Sequence, residues 1–76
     1  MIGTEERLIY MANQIARNFA SLGEGAVDAT ANHIAQFWDP RMRSRILAAD
    51  PQQIGLSDIA AGAFQLLRER AAAKTG

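Results

Sequence analysis

His33 is the residue best suited to chemistry, because it is the only histidine in the 76-residue chain. An imidazole can ligate a metal ion or act as a general base. A metal site needs several ligands on converging faces, and neither Asp28 nor Asp39 stands at helical contact spacing from His33. A base needs a nucleophile in reach, and no Ser/Cys/His motif is present. We therefore predict a boundary histidine bonded to a backbone group or to a group at an interface.

Three arginines stand at alternate positions in the stretch FWDPRMRSRIL (37–47). Arg41 and Arg45 are four residues apart and share one helix face, whereas Arg43 points elsewhere. Unpaired like charges at this spacing cost about 0.2–0.5 kcal/mol, so a compensating anion is expected in the chain or on a partner. Two interpretations stay open. The arginines dock onto carboxylates of another protein, or they form a solvated face with internal partners such as Asp39 or Asp50.

The polar pair in MANQIA (11–16) falls in the middle of an expected helix. Asparagine is a poor helix former, so Asn13 indicates a specific hydrogen bond. We count it with His33 and the three arginines as a candidate partner-binding residue. Gln14 is interpreted as part of an exposed polar face. The glycines of SLGEG (21–25) follow no strand and lack the spacing of a phosphate loop, so nucleotide binding is not predicted.

Size and composition favour an accessory module. A chain of 76 residues makes one domain, here 1–76, with a core too thin to enclose a private substrate cavity. Eight basic and eight acidic residues balance, which argues against nucleic-acid binding. The absence of cysteine excludes disulfides and thiolate metal ligands and is compatible with the cytoplasm. No apolar run suits a membrane span, and the N-terminus does not resemble a signal peptide.

The elements that position these residues are helices, since no stretch alternates with period two. Thr4 is expected to cap a first helix that SLGEG ends. Its buried stripe is predicted at steps of three and four: Leu8, Met11, Ala12, Ile15, Ala16, Phe19 and Leu22. A second helix is predicted over about 26–38, with an inner stripe of Val27, Ala31, Ile34 and Trp38 and with Thr30 and Phe37 beside it.

Phe37, Trp38, Asp39 and Pro40 are predicted to form a corner between two helices. Proline excludes the helical conformation from the residue before it, so Asp39 leaves the second helix. Asp39 is also a good N-cap and Pro40 a good first residue for the third helix, expected over about 40–49. Trp38 is interpreted as packed inside the bend. The third helix turns inward Met42, Ile46 and Ala49, with Leu47 alongside, before a second stop at Asp50 and Pro51.

Ser57 is expected to cap a fourth helix over about 58–73. Its apolar face comprises Ile59, Ala60, Ala63, Phe64, Leu66, Leu67 and Ala71. This face is wider than one neighbouring helix covers, so we expect it to face several helices or a partner, and the isolated chain to self-associate as a homo-oligomer. The predicted fold is all-α, a small compact bundle of three main helices and one shorter helix.

Two stretches resemble one known family. LIYMANQIARNFAS (8–21) and ANHIAQFWDPRMRSRIL (31–47), with GLSDIAAGAFQLL (55–67) in support, are similar to the delta subunit of cytoplasmic NAD-dependent formate dehydrogenases. The resemblance covers about residues 8–67, and FWDPRMR (37–43) is its specific part. It implies an accessory subunit that associates with the catalytic subunits.

The resemblance also implies where the redox chemistry resides. A molybdenum or tungsten bis-pterin cofactor, iron–sulfur clusters and FMN belong to the other subunits, and no catalytic residue carries over to this chain. The implied function is assembly or stability of the complex. The alternative is a transient maturation factor that assists insertion of the bis-pterin cofactor, with the arginines binding its phosphates.

Overall fold

The computed structural model describes residues 4–48 and 55–75, and this part of the chain is helical throughout its regular segments. Helix α1 spans Thr4–Phe19, α2 Ala26–Phe37, α3 Pro40–Leu47 and α4 Asp58–Thr75, with a 3₁₀ segment, Ala20–Gly25, between α1 and α2. The predicted all-α fold of three main helices and one shorter helix is confirmed, and no strand occurs in the described ranges. The predicted end of the third helix at Ala49 and the stop at Asp50 and Pro51 lie outside them.

The predicted turn chemistry is confirmed where the structure describes it. Gly23 has a φ of 62° and redirects the chain between α1 and α2, a conformation that glycine adopts without a steric cost. Ser57 begins α4, since its Oγ accepts a hydrogen bond from the Ala60 backbone amide at 3.2 Å. Both signals are local, because each depends on one residue and its own backbone.

The core is built from alanines and a few large side chains, so the helices lie close together. Phe64 and Ile34 are the largest side chains that are fully buried, and the Trp38 ring packs at 5.7 Å from that of Phe64. At Gly62 a Cβ atom would lie 3.2 Å from Cγ2 of Val27, so α2 and α4 approach closely there. The buried cluster consists of Leu8, Ala12, Ala16, Ala31, Ile34, Trp38, Ile46, Ala60, Ala63, Phe64 and Leu67.

One prediction about the buried stripes is wrong. Met11 and Leu22 are exposed, because α1 ends at Phe19 and its buried face runs instead through Leu8, Ala12 and Ala16. The apolar face of α4 contacts α1, α2 and α3, so the prediction that it faces several helices is confirmed. Self-association of the isolated chain stays a prediction.

Candidate partner-docking surface

The corner between α2 and α3 places the predicted functional residues on a rigid support. Trp38 and Asp39 are both extended, with ψ of 137° and 164°, and Pro40 is the first residue of α3. The Asp39 carboxylate accepts a hydrogen bond from the Met42 amide at 3.0 Å, which confirms the predicted N-cap. Trp38 is 4% exposed, as its interpretation as a core residue requires. Phe37, which was predicted to lie beside the inner stripe of the second helix, is instead 66% exposed.

The three arginines near the corner have different environments. Arg43 donates from Nη1 to the Ala35 carbonyl at 2.9 Å, so it joins α3 to the last turn of α2. Arg41 and Arg45 are exposed, and neither has a hydrogen bond or an ion pair with any residue in the described ranges. The Asp39 carboxylate is instead engaged with the backbone. Asp50, the other internal partner predicted for them, lies outside the described ranges. Within those ranges, two cations share a helix face without an anionic partner.

His33 lies between two aromatic rings. Its centroid is 5.9 Å from that of Phe19 and 4.5 Å from that of Phe37. The predicted bond to a backbone group is not found within 4–48 or 55–75; the ring contacts replace it. The expectation of a contact with an interface group stays a prediction. His33 therefore supports the exposed Phe37 ring and holds it at the surface.

Asn13 makes the specific hydrogen bonds that its place in a helix predicted, but it makes them within the chain. Its Nδ2 donates to the Gly55 carbonyl at 3.0 Å, and its Oδ1 accepts from the Ser57 amide at 2.8 Å. One side chain thereby ties α1 to the turn that precedes α4. The predicted contact between Asn13 and a partner is untested, and the amide already serves intramolecular packing.

An apolar groove runs between α1, α2 and α3. It encloses a volume of about 400 Å³, and its lining is almost entirely apolar. Tyr10 and Phe37 are 64% and 66% exposed, and Met11 is also exposed. The sequence predicts no role for Tyr10 and predicts Met11 in the core, whereas both are exposed. The available signal for Tyr10 was an aromatic residue that lies off the buried stripe. The residues of the apolar groove are Tyr10, Met11, Gln14, Ile15, His33, Phe37, Trp38 and Met42.

A larger open depression, about 710 Å³, lies on the other side of Tyr10, between α1 and the start of α4. Most of its polar groups already bind one another. Asn13 binds the backbone, and Gln14 donates to the Tyr10 hydroxyl at 2.9 Å. In the described part of the chain, no group of three His, Cys, Asp or Glu residues is arranged to hold a metal ion. The depression therefore has few polar groups left to bind a ligand, and we regard the apolar groove as the better candidate for a binding surface.

A comparison with protein families identifies one match. A family model described as the NADH-dependent formate dehydrogenase delta subunit FdsD matches residues 7–64, well over half of the chain. The matched range includes the corner, all three arginines beside it and the whole apolar groove. No curated protein and no solved structure matches the chain. Among residues 4–48 and 55–75, no helix combines the length and apolar character needed to cross a bilayer.

Proposed function

The chain belongs to the FdsD family of NADH-dependent formate dehydrogenase delta subunits, and we propose that it is a non-catalytic subunit that supports assembly or stability of the cytoplasmic complex. One observation carries this proposal. The helices bury a filled core of their own, yet Tyr10, Met11 and Phe37 remain exposed around one groove. On a small protein, clustered exposed apolar side chains mark a surface that another protein covers.

The corner makes this surface suitable for docking. Trp38 is buried against Phe64, and Asp39 caps α3, so the groove and the exposed arginines keep a fixed relation before any partner arrives. A preorganised surface loses little conformational entropy on binding, which favours stable association. The partners that we propose are the catalytic subunits of formate dehydrogenase.

The redox cofactors are proposed to reside in those subunits. Iron–sulfur clusters require thiolate ligands, and this chain has no cysteine to supply them. Its donor set therefore does not fit such a cluster. Binding of the bis-pterin cofactor or of FMN by this chain forms no part of the proposal, and the contribution of the chain is structural.

A maturation factor is the second candidate function, and the exposed pair Arg41 and Arg45 favours it. Guanidinium groups without partners bind phosphate groups as readily as carboxylates. A pterin dinucleotide cofactor carries such phosphates. The same two residues thus suit transient delivery of a cofactor or lasting contact with an acidic protein surface.

Deletion of the gene for this chain separates the two functions. If the chain is a structural subunit, the catalytic subunits purified without it retain molybdenum or tungsten but dissociate more readily on size-exclusion chromatography. If it is a maturation factor, the subunits remain assembled but lack the metal. Two results together would refute both functions. The catalytic subunits purified from the deletion strain would have normal metal content and normal assembly, and the wild-type complex would contain no stoichiometric delta chain.

A further inference from the structure

We propose that the apolar groove receives an amphipathic helix of a catalytic subunit, and that this helix carries acidic residues along the edge that faces α3. The proposal rests on the proposed function, because it takes the partner to be another subunit of the complex. It adds the chemistry of the partner segment. Three arguments support it. The walls of the groove are helical, arginines flank it, and a second copy of the chain would bring like charges together.

The walls of the groove favour a helical occupant. They come from α1, α2 and α3, and helices satisfy their own backbone hydrogen bonds, so the groove presents no free strand edge to an extended peptide. A helix brings its backbone already paired and needs only side-chain pockets. Met11 and Met42 supply flexible, polarizable surface that adapts to apolar anchors.

Three arginines flank the groove, two of them on its α3 edge. Arg45 is three residues after Met42, and Arg41 is four residues before Arg45, so both arginines lie along the groove side of α3. On α1, Arg7 is four residues before Met11 and shares its face. All three arginines are exposed, and none has an ion pair with a described residue.

The acids close to the groove in sequence do not lie on its α3 edge. Asp28 is five residues before His33, a spacing that rotates a side chain by about 140° around a helix. Glu6 is four residues before Tyr10 and shares its face, so it lies on the α1 side of the groove. The Asp39 carboxylate binds the backbone of α3. A chain with no net charge thus has a cationic α3 edge beside its apolar groove, and carboxylates on the occupant complement that edge.

A second copy of this chain is a poorer occupant. In a two-fold dimer, both copies use the same surface patch to form the interface. If two apolar grooves face each other, Arg41 and Arg45 of one copy therefore lie near the same arginines of the other copy. Like charges opposed across an interface disfavour the pairing. An acidic partner helix removes this repulsion and covers the same apolar side chains.

Photo-crosslinking in the assembled complex tests the identity of the occupant. A benzophenone amino acid replaces Phe37 in one variant and Leu22 in a matched control; Leu22 is 55% exposed but lies outside the groove. We expect Phe37→benzoyl-Phe to link to a helical segment of a catalytic subunit that has Asp or Glu beside its apolar face. A link to a second copy, a link to a segment without acidic residues, or equal linkage to one segment from both positions would overturn the proposal.

Substitution measures the contribution of the groove. Phe37→Asp places a charge in the apolar patch and is expected to weaken retention of the delta chain at least about tenfold, as for a central interface residue. Leu22→Asp makes the same change outside the groove and is expected to leave retention unchanged. Because both side chains are exposed, both variants are expected to fold, and circular dichroism verifies this.

The outcomes separate this proposal from the proposed function. If wild-type chain fails to co-purify with the catalytic subunits, the structural function itself is wrong. If the wild-type chain co-purifies and Phe37→Asp is retained as well as Leu22→Asp, the function stands and the groove proposal is overturned.

Discussion

Replacing Asn13 with alanine tests whether one side chain fastens α1 to the start of α4. The substitution removes two hydrogen bonds, from Nδ2 to the Gly55 carbonyl at 3.0 Å and from the Ser57 amide to Oδ1 at 2.8 Å. Each contributes about 0.5–1.5 kcal/mol net, which gives a loss of about 1–3 kcal/mol. Alanine is the better helix former and returns roughly 0.5 kcal/mol.

The expected net loss lies toward the lower end of that range. The Asn13 side chain is only half-buried, so water replaces part of each lost hydrogen bond. We therefore expect a decrease of about 1 kcal/mol in the free energy of unfolding. For a domain of this size, such a loss lowers the melting temperature by about 4–8 °C.

Thermal unfolding followed by circular dichroism measures the effect. Gln14→Ala is the matched control, because it removes an exposed amide whose hydrogen bond is to Tyr10, within α1. Hydrogen exchange adds a local readout: the Ser57 amide is expected to lose protection in Asn13→Ala and to keep it in Gln14→Ala. Equal melting temperatures for the two variants, with unchanged protection at Ser57, would refute the reasoning. Repeating the melts at two protein concentrations tests whether the isolated chain self-associates.

Three further predictions follow from individual contacts. The Thr30 hydroxyl is fully buried without a hydrogen-bond partner in the described structure; Thr30→Val is therefore expected to raise stability by up to about 1 kcal/mol, and a lower melting temperature would contradict this. Gly62→Ala is expected to destabilise the chain despite a helix-propensity gain of about 1 kcal/mol, because its Cβ would crowd the stiff side chain of Val27. Val27→Ala should reverse that sign in a double-mutant cycle measured by urea unfolding. The double variant Arg41→Glu, Arg45→Glu is expected to keep its helicity but to lose co-purification with the catalytic subunits, whereas undiminished pull-down would count against docking at the corner.

The sequence predicted those features that depend on neighbouring residues. Asp39 and Pro40 determine the corner through a steric exclusion and a capping bond, both of which act within a few residues. Ser57 marks the start of α4 in the same way. The family resemblance was readable because its specific motif spans this corner, and the family match confirms it.

The sequence did not reveal features that depend on how helices meet. The hydrogen-bond partners of Asn13 are 42 and 44 residues away in the sequence. The sequence therefore indicated that Asn13 makes a specific hydrogen bond, but it did not indicate which groups it binds. Helical periodicity predicted a buried stripe that includes Met11. Which residues of that stripe are buried depends on the direction from which α2 and α3 pack against α1, and this packing leaves Met11 exposed. The apolar groove is a product of that packing, and no single helix encodes it.

The position of Trp38 gives the molecule a built-in optical sensor. It is the chain's only tryptophan, and its indole belongs both to the buried cluster and to the lining of the apolar groove. A ligand that enters the groove changes the polarity around the same ring that reports on core packing. Fluorescence from this one side chain can therefore follow occupancy in the isolated subunit without any attached dye.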